Sequence, residues 1–243
     1  MGTMTERETL VDRVRTVRAR TERLAAPLSA EDQVVQSMPD VSPTKWHRAH
    51  TTWFFAEFVI GARGERRWEW DRPEYRFLFN SYYDAVGARH PRPERGLLTR
   101  PPLDDVVAYR RGVDHALAEV LAGDELAPDL EAVIRLGTHH EEQHQELLLI
   151  DVKHVLSSNP AVSPAYAPVD VAPAVDPGPA SMVPVDGGVV PIGLDVDDRM
   201  AGGRFAFDNE GRPHEVRLDD YALADRLVTA GEWMAFMEDG GYD

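Results

Sequence analysis

The stretch LEAVIRLGTHHEEQHQELLLIDVKHVL, Leu130 to Leu156, decides the fold. Apolar residues recur through it at helical spacing, and Ser-Ser-Asn-Pro closes it, so it reads as one long amphipathic helix. Val133, Leu136, Leu147 and Ile150 mark the side expected to face a core. Within the helix, Thr138 to His154 holds four histidines and three glutamates. His140 and His144 are four residues apart, so one face carries both and they can bind one ion from adjacent turns. They fall on or beside the stripe through 136, 140, 144 and 147. Two imidazoles buried without partners are costly, and a metal would offset that cost. His139 points away from this face, and His154 lies more than two turns further on. Glu146 lies roughly opposite His144 and reads as a supporting group before a ligand. A solvated acidic helix with a histidine pair explains the same residues, so both readings stand at this point.

A two-histidine site needs a third ligand, and a second apolar helix offers one. Ser42 is placed to cap it, Pro43 sits at its first position, and apolar residues run from Trp46 to Ile60 before Gly61 and Gly64. His50 continues the stripe Trp46, His50, Trp53, Glu57, and so can meet the first helix across a core; His47 is the other candidate. Trp53, Phe54 and Phe55 read as packing. Two more helices complete the set. One spans Glu6 to Leu24, and one starts at Pro101-Pro102, with Asp104 and Asp105 in its first turn, and stops at Gly123. Four helices, two of them long and amphipathic, predict an antiparallel four-helix bundle.

Between the helix that ends at Gly61 and Gly64 and the one that starts at Pro101-Pro102, residues 65–100 show no sustained period and predict a long, ordered loop. It joins Tyr82 and Tyr83 to Arg89, Arg92, Arg95 and Arg100 in a chain of net charge −16. Arginine grips a carboxylate through two parallel hydrogen bonds, although ion pairs with the protein's own acids account for the cluster equally well. His90, His115 and His214 have no such company and read as surface or loop residues.

The acidic balance argues against nucleic acid or an anionic membrane as partner. The absence of cysteine removes disulfides, thiolate metal sites and a Cys nucleophile, leaves nitrogen and oxygen as the only metal ligands, and fits a cytoplasmic protein. No stretch approaches the ~20 apolar residues of a membrane span. Two domains and a linker are expected: a helical metal-binding domain over 1–159, a Pro-rich linker over 160–184, and an α+β segment over 185–243. The last contains short alternating runs and a capped helix near Thr229, and reads as the opening of a larger domain.

Three motifs, WHRAHTTWFFAEF, LFNSYYDAVGARHPRPERGLLTRP and HHEEQHQELLLIDVKH, resemble the DinB-like domain of the ergothioneine-biosynthesis sulfoxide synthases. The segment from VPVDGGVVPIGL to the end resembles the start of the formylglycine-generating-enzyme (sulfatase-modifying-factor, C-type-lectin-like) domain that follows in those proteins. The resemblance implies iron(II) on His50, His140 and His144, with His50 preferred to His47. It implies Tyr82 and Tyr83 in the active site, Arg92 and Arg95 on the carboxylate of the thiol substrate, and Gln143 on the imidazole substrate. The implied reaction joins cysteine or γ-glutamylcysteine to hercynine (trimethylhistidine), with O2 as co-substrate. Within that resemblance, the isolated chain is expected to turn over poorly, with a separate chain as one source of the remainder. Rival readings are the 5-histidylcysteine sulfoxide and selenoneine synthases, a Zn2+-dependent DinB-like thiol transferase, and an inactive metal-binding module.

Overall fold

A computed structural model describes residues 6–65, 70–81, 83–123, 126–159, 164–170, 173, 175–194 and 205–243. The chain divides into two compact units, Met1–Pro168 and Val169–Asp243. The first is helical and the second holds four short strands and a helix among its described residues.

In the first unit, α1 (Glu6–Ala25), α2 (Thr44–Phe55), α4 (Leu103–Ala122) and α5 (Pro128–Ser157) are long, and α3 (Tyr75–Leu78) is a single turn. α5 packs on α1 and α2, and α4 packs on α2 and α1. Their shared core includes Leu10, Trp53, Phe55, Tyr109, Leu117 and Ile134. Burying such large side chains contributes roughly 1.5–3 kcal/mol each, which is what holds the four helices together. At its end α2 continues as a π turn over Ala56–Ile60 and a 3-10 turn over Gly61–Arg63. Gly64 closes it with φ 73°, a left-handed conformation that glycine adopts without strain.

Two expectations are corrected here. Ser42 does not cap α2: Pro43 holds the cap position, without a side-chain cap bond. The serine is claimed by buried charged groups instead. Its N–H donates to Asp151 Oδ2 at 2.8 Å, and its Oγ accepts from Arg95 Nη1 at 2.9 Å.

The interior face of α5 is also rotated from the expected one. It runs through Ile134, Thr138, Glu141, Gln145, Leu148 and Val152, whereas Ile150 is 54% exposed. Polar partners turn the helix. Glu141 is fully buried and accepts from Arg18 Nη1 at 2.9 Å, from Thr21 Oγ1 at 2.5 Å, and from Arg110 Nη2. Gln145 donates to the Val17 carbonyl at 2.9 Å and to Thr21 Oγ1 at 3.0 Å. Burial alone would raise the Glu141 carboxyl, but Arg110 and Arg18 hold it down, to about 2. The three charged groups are therefore fixed within the core, where losing one would strand the others.

Gly137 brings α5 unusually close to α2. A Cβ there would meet Phe55 Cε1 at 2.6 Å and Phe54 Cε1 at 2.9 Å, so only glycine fits. Beyond α5, Tyr166 packs with Leu24 and Leu156 around Leu28, Leu148 and Val152, and its hydroxyl donates to the Leu24 carbonyl at 2.9 Å. This part of the proline-rich stretch thus belongs to the helical unit.

In the second unit, β1 (Met182–Val185) pairs antiparallel with β4 (Tyr221–Ala224), and β2 (Gly188–Ile192) with β3 (His214–Leu218). Thr229 caps α6 (Ala230–Glu238): its Oγ1 accepts from the Glu232 N–H at 3.1 Å, and its own N–H donates to Glu232 Oε2 at 2.8 Å. Trp233, Met234, Phe236, Tyr221 and Leu223 are all exposed. Among the described residues, no helix is long and apolar enough to cross a membrane.

Candidate metal centre

The close packing of α2 on α5 brings three imidazoles together. Among the described residues, His50, His140 and His144 form the one group whose ligand atoms could hold a metal ion, all lying within 4.8 Å of one another. His50 Nε2 is 3.2 Å from His140 Nε2, and the ring centroids of His50 and His144 are 4.6 Å apart. The i,i+4 spacing on α5 supplies two members, and His50 reaches them from α2.

Each ring is held in place. His50 Nδ1–H donates to the Phe79 carbonyl at 2.6 Å, which leaves its Nε2 lone pair pointing toward His140. Trp46, one turn before, stacks on His50 at 4.6 Å and 12°, and Trp53, one turn after, at 5.6 Å and 16°. Phe54 lies 5.0 Å from the His140 ring. His140 Nδ1 is buried and has no hydrogen-bond partner.

Electrostatics favour lone pairs over charge. Burial, then repulsion from His140, lowers His50 well below the usual histidine value. His140 falls to about 4 through burial, and His144 falls well below the ordinary value through burial, then His50 and His140. At neutral pH all three are uncharged, the form that coordinates metal. An orphaned ring nitrogen, buried neutral imidazoles and no competing protein thiol all fit a divalent transition metal.

The other predicted residues are placed as follows. Arg95 is buried, its guanidinium 3.4 Å above the Trp46 ring, with Nη1 and Nη2 donating to Ser42 Oγ at 2.9 Å and Ser81 Oγ at 3.1 Å. Arg92 is exposed, and its Nη2 donates to the Asp40 carbonyl. Gln143 is exposed on α5 between the two helix ligands, and Glu146 is exposed as well. Tyr83 is half-buried against Trp53, Phe54 and Phe58, with ring centroids 5.6, 6.1 and 5.0 Å away. Tyr82 lies outside the described residues. His139 pairs with Arg13 and Glu142, and His154 Nδ1 lies 2.7 Å from Ser37 Oγ, so neither joins the cluster.

Two residues beside the site, Asp151 and Asn80, were missed from sequence, and His47, weighed there as the other candidate ligand, lies next to the cluster. His47 is buried, with Nε2 2.9 Å from Asp151 Oδ2 and Nδ1 2.9 Å from His144 Nδ1. Burial lowers His47, and Asp151 partly opposes that shift. Asp151 lies seven residues after His144, on the same face of α5, which is the signal that could have found it. Asn80, also buried, pins the tyrosine loop by donating from Nδ2 to the Tyr83 and Gly87 carbonyls at 3.2 and 3.1 Å.

Comparison with known proteins agrees with this architecture. The DinB superfamily matches residues 13–148, more than half of the chain. The hercynine oxygenase of Mycolicibacterium smegmatis is 31% identical over 248 aligned positions, covering 99% of this chain and 52% of that protein. The hercynine oxygenase of Mycolicibacterium thermoresistibile is 29% identical over 205 positions, covering 84% and 42%. The chain thus spans about half the length of the curated relatives it matches. A helical unit with paired histidines on α5, a third on α2 and this match identify the chain as a member of the DinB superfamily.

Proposed function

We propose that the protein belongs to an iron(II)- and O2-dependent sulfoxide synthase of ergothioneine biosynthesis, joining cysteine or γ-glutamylcysteine to the imidazole carbon of hercynine. The convergence of three neutral imidazoles carries this reading, in a chain similar along nearly its whole length to a hercynine oxygenase. His50, His140 and His144 would hold the ion. Bound there, iron(II) would supply the oxygen chemistry.

The chain's own residues bind and orient. Arg95 and Arg92 take the thiol substrate's carboxylate. Both Arg95 Nη atoms now rest on serine hydroxyls, which can themselves turn to donate to an incoming carboxylate. Gln143, exposed on α5 between His140 and His144, contacts the imidazole substrate. Tyr83 and Tyr82 supply a proton near the reacting sulfur, and Asn80 holds Tyr83 in place through its carbonyl.

Residues 1–159 are taken as a DinB-like four-helix bundle, followed by a proline-rich segment over 160–184, whose Tyr166 packs back on the helices, and by part of a formylglycine-generating-enzyme-type domain over 185–243. Exposed Trp233, Met234 and Phe236 support the idea that further polypeptide, in this chain or another, covers that segment. A cytoplasmic location is consistent with the lack of cysteine.

Anaerobic loading with Fe(II) tests the site. Stoichiometric iron in the wild-type protein and none in a His140→Ala, His144→Ala double variant is expected; unchanged metal content in that variant removes the site. O2 uptake that requires both hercynine and a thiol, in protein carrying a complete second domain, supports the synthase. Metal binding with thiol transfer and no O2 uptake would favour the Zn2+ transferase instead.

A further inference from the structure

We propose that Asp151 and His47 form a relay that sets the tautomer of His144 and turns its Nε2 lone pair toward the metal centre. The proposal rests on the three-histidine reading above, and adds two residues that are not ligands in it.

The argument is a count of protons along one line of atoms. Asp151 Oδ2 accepts from the Ser42 N–H at 2.8 Å and lies 2.9 Å from His47 Nε2. A carboxylate only accepts, so the proton of that second contact sits on His47 Nε2. A neutral His47 ring then carries a lone pair on Nδ1. This atom faces His144 Nδ1 at 2.9 Å, and one proton must lie between the two nitrogens. His47 has none to give there, so His144 supplies it from Nδ1. The remaining nitrogen of His144, Nε2, is left with its lone pair.

His50 reaches the same state by an independent route, through the Phe79 carbonyl. Two rings of the three therefore have their proton assigned away from the centre by buried acceptors, whereas His140 Nδ1 has no such partner. The relay also ties the site to the fold. Asp151 sits on α5 with His144, His47 sits on α2 with His50, and the Ser42 amide that anchors the carboxylate lies just before α2. His47 and Asp151 are positioning residues: they act through His144 and touch no substrate in this reading. Outer partners of this kind orient a ligand and raise its basicity.

Two variants separate the relay from bulk packing. His47→Phe keeps a ring of similar size and removes both contacts. His47→Gln can still donate to Asp151 and accept from His144 through its amide. The first readout needs no metal: 15N NMR of the labelled wild-type protein assigns the His144 tautomer, and an Nδ1–H ring is expected. A proton on Nε2 there overturns the proposal, whatever the variants do.

The second readout is the dissociation constant for Co(II), followed by its visible absorption, with thermal unfolding as a check on folding. His47→Phe is expected to weaken Co(II) binding roughly 10–100-fold. His47→Gln is expected to recover most of that loss. Binding by His47→Phe as tight as wild type overturns the relay. Equal losses in two folded variants also overturn it, because the ring itself would then be a ligand. Wild-type protein that binds no Co(II) refutes the metal reading instead, and the NMR tautomer then decides the relay separately.

Discussion

Helix α5 carries two buried polar clusters, one through Glu141 and Gln145 and the other through His140 and His144, and they are built on opposite principles. In the first, every charge has a counter-charge: Glu141 sits between Arg18 and Arg110, and Arg18 also meets Asp114 at 2.5 Å. Arg110 Nε also lies 2.7 Å from Glu22 Oε1, so the ion pairs are closed and a further ligand would only displace one already made. In the second, the groups are neutral, their nitrogens converge, and one buried nitrogen has no partner. Adjacent residues of one helix thus join an ion-pair network on one side and a cluster of converging imidazoles on the other. Burial of polar groups alone does not mark a candidate site; what marks it here is the convergence of uncharged ring nitrogens.

The sharpest way to break this contrast is Glu141→Ala. It would leave two buried guanidiniums short of a partner and cost about 3–5 kcal/mol in urea unfolding. A loss under about 1 kcal/mol, the range of an exposed pair, would show that the cluster is not the closed structural unit described. Acid should expose the same group. Glu141 falls from 4.5 in the unfolded chain to about 2 when folded, so its contribution is complete above 4.5 and disappears as pH falls toward 2. The difference in stability between wild type and Glu141→Gln should narrow over that window by about 3 kcal/mol. A constant difference across it would contradict the assignment.

On the other side of the helix the outcome should be reversed. His140→Ala should weaken Co(II) or Zn2+ binding by more than the roughly 100-fold that loss of an outer partner reaches. It should do so while leaving metal-free stability nearly unchanged, as read by calorimetry without metal. The smallest effect is expected at the neighbouring residue. His139→Ala, at a position paired with Arg13 and Glu142, should change stability by no more than about 0.5 kcal/mol and metal affinity not at all. A large loss of affinity there would mean that the wrong histidine face has been chosen.

These two clusters were not equally legible from sequence. The histidine pair announced itself through spacing, and His50 through its place in the apolar stripe from Trp46 to Trp53. The Glu141 cluster gave no local signal. Glutamate and glutamine on a charged helix read as solvated surface, and their partners Arg18 and Arg110 lie 123 and 31 residues away. Apolar periodicity therefore placed the core face of α5 through Ile150, which the structure exposes. Ser42 was misread for a related reason: it has the composition of a cap, yet its hydrogen bonds go to residues 53 and 109 positions distant. The helical class and the ends of α4 and α5 followed closely from proline, glycine and acidic first-turn residues, which act over a few positions and need no tertiary context.

Gly137 carries one further consequence. Glycine inside a helix costs roughly 1 kcal/mol relative to alanine, and here that cost keeps α5 against the rings of Phe54 and Phe55. The residue lies one turn before His140, so it acts as a gauge for the whole site. A methyl group there would have to displace the rings of Phe54 and Phe55, on the same helix that carries His50. Adding it would disturb the packing of α2 on α5, so the spacing of His50 from His140 and His144 is tied to the smallest residue near them.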